Sequence, residues 1–141
     1  MSKSEEFEKM GGRQSLERIS KVFYDKIYDH PWLKLYFEKL PQEYIESQQC
    51  DFMEQVLGGN NQYAGKTPPK AHRHILVSEE LFELRQELLK ESFRELHVHP
   101  ELGRKWLQLD QTFKPQIVKT TLSDCQQRYD GEGILAFSNP A

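Results

Sequence analysis

The stretch SLERISKVFYDKIYDHPWLKLYF, residues 15–37, decides the fold. Leu16, Ile19, Phe23 and Ile27 recur at steps of three and four, which on a turn of 3.6 residues gathers them on one face. The spacing predicts a helix from about Gln14 to Tyr28. His30-Pro31 breaks it, and Trp32, Leu33, Leu35, Tyr36 and Phe37 then make an apolar corner dense enough to require burial. Upstream, Ser4 before Glu5-Glu6 reads as a capped start, its acidic groups favoured by the positive end of a helix dipole, and Gly11-Gly12 ends that short helix.

Downstream the same punctuation continues. Pro41 opens a helix that Gly58-Gly59 closes, with Ile45, Gln49, Phe52, Met53 and Val56 as its inner stripe. Residues 60–69 form a loop of Asn, Gly, Thr and Pro, too long for a tight hairpin. Ser78-Glu79-Glu80 caps another helix, carrying Leu81, Leu84, Leu88 and Phe93 towards Leu96, with Leu89 beside them. Pro100 opens the last, whose stripe of Leu102, Trp106, Leu109, Phe113, Ile117, Thr121 and Cys125 passes Pro115, where a kink is expected. Residues 129–141 have no periodicity and read as a flexible tail on a single domain spanning 1–128. No β alternation competes, so the fold class is all-α.

Composition narrows the function. Of 141 residues, 37% are hydrophobic and 29% charged, and no run approaches the ~18 consecutive apolar residues of a spanning helix. The start MSKSEEFEKM lacks the apolar core of a secretory signal, so the chain reads as cytoplasmic, with no membrane partner. Nineteen basic against 22 acidic side chains, without a basic cluster, make nucleic acid an unsuitable partner. Cys50 and Cys125 are too few for a disulfide scaffold and too far apart for a CxxC motif. Nucleophile elbow, P-loop, dinucleotide fingerprint and HExxH are all absent, and the adjacent Glu pairs belong to helix starts.

Two polar residues intrude on this pattern. Gln49 stands four residues after Ile45 and three before Phe52, in the middle of an apolar stripe. Tyr24 flanks the inner face beside Phe23. A buried amide without partners costs ~1–3 kcal/mol, so each either bonds a neighbouring backbone group or water, or the two together face a polar ligand inside an apolar cavity. The histidines form a second constellation: His72, His74, His97 and His99. At spacing two they diverge on a helix, and no Asp, Glu or Cys completes a tetrahedral set with either pair. His72 opens a segment with Ala71, Ile75, Leu76 and Val77, where a lone imidazole could face an iron held by a porphyrin.

The order of these features resembles the truncated, two-over-two haemoglobins, most of all their first group. The resemblance rests on FEKMGGRQSLERI (7–19), Phe23-Tyr24 in KVFYDKIYDHPWL (21–33), Phe37, Gln49 with Phe52-Met53, LGGNNQYAG (57–65), and KAHRH (70–74) with Phe82 ten residues beyond His72. It covers roughly residues 6–98. It implies haem b as cofactor, His72 as the proximal iron ligand, and Tyr24 with Gln49 as the distal hydrogen-bonding pair. Ile45 would stand where longer globins carry a distal histidine, so the iron would be five-coordinate or hold water. Phe23, Phe37, Phe52, Met53, Leu76, Phe82 and Arg85 would line the haem pocket. Leu76-Val77-Ser78 departs from the family's Gly-Ile/Val-Thr, and Arg85 takes a position that is usually apolar, or often Trp in the second and third groups. A guanidinium there reaches a haem propionate or snorkels to solvent.

The implied function is reversible binding of O2, NO and CO, with NO dioxygenase or peroxidase-like turnover as an enzymatic extension needing a separate reductase. Two alternatives are a haem-free helical interaction module on the same scaffold and a zinc or copper binder using the HxH pairs.

Overall fold

A computed structural model describes residues 2–58 and 63–141. Six helices follow in order: α1 (Lys3–Lys9), α2 (Gly12–Asp29), α3 (Gln42–Leu57), α4 (Pro68–Ala71), α5 (Glu79–Glu95) and α6 (Pro100–Ile117), with 3-10 turns at Leu33–Tyr36 and Leu122–Asp124. The architecture is the two-over-two sandwich, α2 and α3 packed as one pair and α5 and α6 as the other, with α2 also lying on α5. Among the described residues the β contribution is two isolated bridges, Ile75 with Leu135 and Val77 with Val118.

The deciding stretch folds as its periodicity predicts. Leu16, Ile19, Phe23 and Ile27 are at most 1% exposed, each burial contributing about 1.5–3 kcal/mol. At its start Gly11 adopts φ +112°, and a Cβ there would collide with the Ser15 side chain. A side chain at residue 11 is therefore excluded twice over. In the corner Trp32, Leu33 and Tyr36 are buried, while Leu35 and Phe37 stay half-buried.

Several boundaries differ from the sequence reading. The first helix is capped by Ser2, whose Oγ accepts from Glu5 N at 3.1 Å, and Ser4 lies inside it. That start completes a turn beneath Phe7, which is wholly buried. Pro41 is the residue before α3, extended at ψ 132°, and Gly58 closes the helix in the left-handed conformation at φ +99°. Gly59 of the expected helix stop and Asn60, Asn61 and Gln62 of the expected loop lie outside the described residues. The buried stripe of α3 is Cys50, Met53 and Leu57, with Ile45, Gln49, Phe52 and Val56 half-buried beside it.

Ser78 caps α5 as expected, accepting from Leu81 N at 3.1 Å. Leu84, Leu88 and Phe93 are half-buried, and the wholly covered face includes Leu89, Gln86 and Ser92. α6 ends at Ile117, so Thr121 and Cys125 are outside it. Pro115 has no N–H for the ladder, and the chain leaves the helix two residues later. The segment 129–141, expected as a flexible tail, instead lies against the domain. Leu135 N donates to His74 O at 2.9 Å, Leu76 N donates to Leu135 O at 2.9 Å, and Trp32 Nε1 donates to Phe137 O at 2.8 Å. These bonds are long-range and leave no local periodicity to read.

Candidate functional site

The site is built from three directions: the inner edge of α2, the half-buried edge of α3, and the turn after α4. From α2, Tyr24 is 6% exposed and packs edge-on against Phe23, with ring centroids 4.9 Å apart, and against Phe37 at 6.2 Å. Its hydroxyl donates to Gln49 Oε1 of α3 at 3.3 Å, a long bond that leaves both groups able to turn towards a better partner. Burial pushes the Tyr24 phenol up to about 12, so it stays a protonated donor at any physiological pH.

Around this pair the walls are apolar. Phe37 also packs on Tyr28 at 5.4 Å, and Phe52 meets Tyr63 at 5.3 Å and Phe113 at 6.3 Å. Ile45 and Phe52 are half-buried, Met53 wholly buried. Phe82 is buried on α5 with the Lys114 ammonium 5.3 Å from its ring centre, and Leu76 is half-buried beyond the α4 turn.

The turn after α4 presents His72. Pro68 and Pro69 start α4 and suit its first positions, and His72 sits at its C-cap. Its Nδ1 donates to Pro68 O at 2.7 Å, which assigns the tautomer and leaves the Nε2 lone pair free. Desolvation pushes the imidazole down to about 4 against the opposing pull of the Pro68 carbonyl, with Arg85 and Lys119 adding to the fall. A neutral ring with a free Nε2 and an oriented Nδ1–H is the form that ligates a metal.

His74 differs. Its Nδ1 is buried without a partner, and its Nε2 lies 3.8 Å from Glu132 Oε2. Glu132 is bound more closely by Arg128, which holds its carboxyl down at about 2, and desolvation lowers the His74 pKa as well. His74 is thus a packed neutral ring under the C-terminal segment. His97 is exposed at φ +50°, and His99 caps α6 by accepting from Glu101 N at 3.1 Å. Neither HxH pair converges, and among the described residues no three His, Cys, Asp or Glu side chains group around a metal position. The chemistry present fits a haem, which brings four of its own nitrogens and asks the protein for one imidazole.

Arg85 does not snorkel to solvent but turns to neighbouring side chains. Its Nη1 donates to Asp110 Oδ2 at 2.9 Å and to Gln86 Oε1 at 2.6 Å, and its guanidinium lies 5.1 Å from the Phe23 ring centre. Burial alone would lower its pKa, but Asp110 and Tyr24 outweigh that and raise it. The ion pair joins α5 to α6 behind the tyrosine. Asp110 and Gln86 escaped the sequence reading; a carboxylate directly after Leu109 in an apolar stripe was the available signal. Lys119 escaped it too, and its Nζ donates to the carbonyls of His72, Ile75 and Ile117 at 2.9, 3.0 and 3.0 Å.

The chain has known relatives in sequence and in fold. Residues 5–119 match the model of the bacterial-like globin family. A group 1 truncated hemoglobin of Tetrahymena thermophila is 32% identical over 96 residues, covering 68% of this chain and 79% of the relative. One from Tetrahymena pyriformis is 30% identical over 92 residues, covering 65% and 76%. Among solved structures, the Fe(III) truncated hemoglobin of T. pyriformis superposes with TM-score 0.71 at 24% identity, over 81% of this chain and 97% of that one. The 2/2 hemoglobin of a Synechococcus species shares the fold at TM-score 0.68 and 23% identity, over 78% and 93%.

Proposed function

Given that this chain belongs to the truncated haemoglobins, of the group I kind, and takes haem as its cofactor, we propose that it binds O2, NO and CO reversibly between His72 on one side and the Tyr24–Gln49 pair on the other. Haem, held by these residues, would supply an iron able to bind a diatomic gas reversibly. His72 would hold the iron through Nε2, and the bond from its Nδ1 to Pro68 O orients the ring for that. Tyr24 and Gln49 donate hydrogen bonds to the gas, favouring O2 over CO because a charged acceptor roughly doubles such a bond. Phe23, Phe37, Ile45, Phe52 and Met53 exclude water around the pair, which strengthens each polar contact made there.

The observation that carries this reading is the Tyr24–Gln49 contact at 3.3 Å, a buried phenol and a half-buried amide from different helices whose side chains have no better partner among the described residues than each other. In the same reading Leu76 and Phe82 border the proximal side, and Arg85 stands behind the distal tyrosine. The enzymatic extension would be oxidation of NO to nitrate, NO and O2 combining with one electron from the reduced cofactor and a separate reductase restoring that electron. The free thiols Cys50 and Cys125 suit a reducing, cytoplasmic setting, and among the described residues no helix is long and apolar enough to cross a membrane.

The test is the visible spectrum of purified protein reconstituted with haem. A globin-like Soret band is expected for the wild type and for His74→Ala, whereas His72→Ala loses stable haem. Colourless wild-type protein would overturn the proposal. Loss of haem in His74→Ala alone would move the ligand by two residues.

A further inference from the structure

The backbone carbonyls that follow the proximal position are held, one after another, by the far end of the chain. Lys119 Nζ donates to His72 O and to Ile75 O, Gln126 N donates to Arg73 O at 2.9 Å, and Leu135 N donates to His74 O at 2.9 Å. Leu76 N returns a bond to Leu135 O at 2.9 Å, and Lys119 N donates to Val77 O at 2.8 Å. No carbonyl from 72 to 75 lacks a donor from residues 119–135. Within this irregular turn His72 O and Ile75 O also accept from Ile75 N and Val77 N at 3.0 Å each, so the far end adds a charged bond at those two carbonyls. Among the described residues it supplies the one backbone donor at Arg73 O and His74 O, where its loss is costly.

The far end is itself anchored. Phe137 O accepts from Trp32 Nε1, Phe137 N donates to Tyr36 OH at 3.1 Å, and the Phe137 ring packs edge-on against Tyr36 at 5.0 Å. Arg128 and Glu132 pair between the two contact points, and Glu132 is 6% exposed beside His74. Both ends of the segment are therefore fixed to the core, one at α6 and one at the Trp32–Tyr36 corner. Beyond residue 119 the segment lies outside the stretch matching the family model.

We propose that residues 119–137 form a strap that positions the proximal histidine, with Lys119 as its principal clamp, so that it governs how firmly His72 holds the haem iron. The inference rests on the reading of His72 as iron ligand. The Pro68 carbonyl that orients the His72 ring belongs to a four-residue helix too short to be stable alone, so the ring's position depends on bonds from outside α4. The ammonium bridging His72 O and Ile75 O ties both ends of the turn through one cation, itself held by a third bond to Ile117 O. Lys119, Gln126 and Leu135 are positioning residues; none touches the ligand.

The experiment uses full-length protein carrying Lys119→Met, Gln126→Pro or, as a control of equal charge change, Lys90→Met, whose ammonium lies 3.6 Å from Glu87 on the exposed side of α5. Gln126→Pro removes a single N–H donor, and Cys125 at ψ 147° already has the extended conformation that a following proline requires. Haem transfer to an excess of an apoglobin acceptor and the iron–histidine stretching band of the ferrous, gas-free protein are read together. Lys119→Met should lose haem at least about tenfold faster, the equivalent of one charge-assisted hydrogen bond, with the band shifted or broadened. Gln126→Pro should move both in the same direction by a smaller amount, and Lys90→Met should move neither. Should Lys119→Met not fold, Gln126→Pro decides. An unmoved band with haem loss within about twofold of wild type in the folded variants would overturn the strap. If the wild type takes up no haem, the reading of function fails by itself. The strap is then decided by hydrogen exchange at the amides of Ile75, Leu76 and Val77, which must quicken at least about tenfold in Lys119→Met.

Discussion

Replacing Tyr24 by Phe removes one oxygen from the distal pocket and little else. The ring keeps its edge contacts with Phe23 and Phe37, and the side chain remains almost wholly enclosed, so the packing survives. The lost interaction in the gas-free protein is the 3.3 Å bond to Gln49, long enough to be weak. With O2 bound, the loss is a hydrogen bond to a partly charged acceptor in dry surroundings, worth ~1.5–3 kcal/mol. Since ~1.4 kcal/mol is a factor of ten, O2 dissociation should speed up by about ten- to a hundredfold. CO accepts hydrogen bonds poorly, and its dissociation should stay within about twofold. Stopped-flow displacement of O2 by CO, and of CO by NO, measures the two rates on one preparation. An O2 rate within twofold of wild type, or equal acceleration for both gases, would refute the reasoning and leave Tyr24 as a core residue with a satisfied hydroxyl.

Gln49→Leu should quicken O2 release by a similar or smaller factor, and the double variant with Tyr24→Phe should fall short of the product of the two, because they share one ligand and bond each other. Asp110→Ala should destabilise by about 3–5 kcal/mol in urea unfolding, because it strands the Arg85 guanidinium beneath Phe23. Changing Arg85 and Asp110 together to leucine should recover most of that loss, and a double variant no more stable than Asp110→Ala would argue against the pair. Glu132, held at about 2 by Arg128, adds stability that is complete above the ordinary carboxylate pKa near 4.5 and disappears as pH falls towards 2. Glu132→Gln should therefore lower the melting temperature at pH 7 and flatten its decline between pH 5 and 3. Trp106→Phe should cost less than Trp106→Ala, since the buried indole N–H has no partner to lose while the alanine leaves a cavity in a fully enclosed site. Thermal melts of the two variants check the order.

What the sequence by itself determined is what acts within about four residues along the chain. Helix faces follow from 3.6-residue periodicity, so Leu16, Ile19, Phe23 and Ile27 were legible as core. Caps and breaks follow from single side chains, so Ser78, Gly58 and His30-Pro31 fell where the residues indicated. The candidate site was legible for the same reason wherever a residue violated its own local pattern: Tyr24 and Gln49 are polar in apolar stripes, and His72 is an isolated imidazole at the head of an apolar run. Only the tertiary structure decided which distant groups meet. Arg85 could not be assigned until α6 brought Asp110 against it, and His72 could not be separated from His74 by local rules. The separation came from Pro68 O on one ring and the Glu132 side on the other. The path of residues 119–137 was the least legible of all. Its bonds run to backbone carbonyls, which every residue carries alike, so no side-chain pattern announces them and only the folded chain shows where they are made.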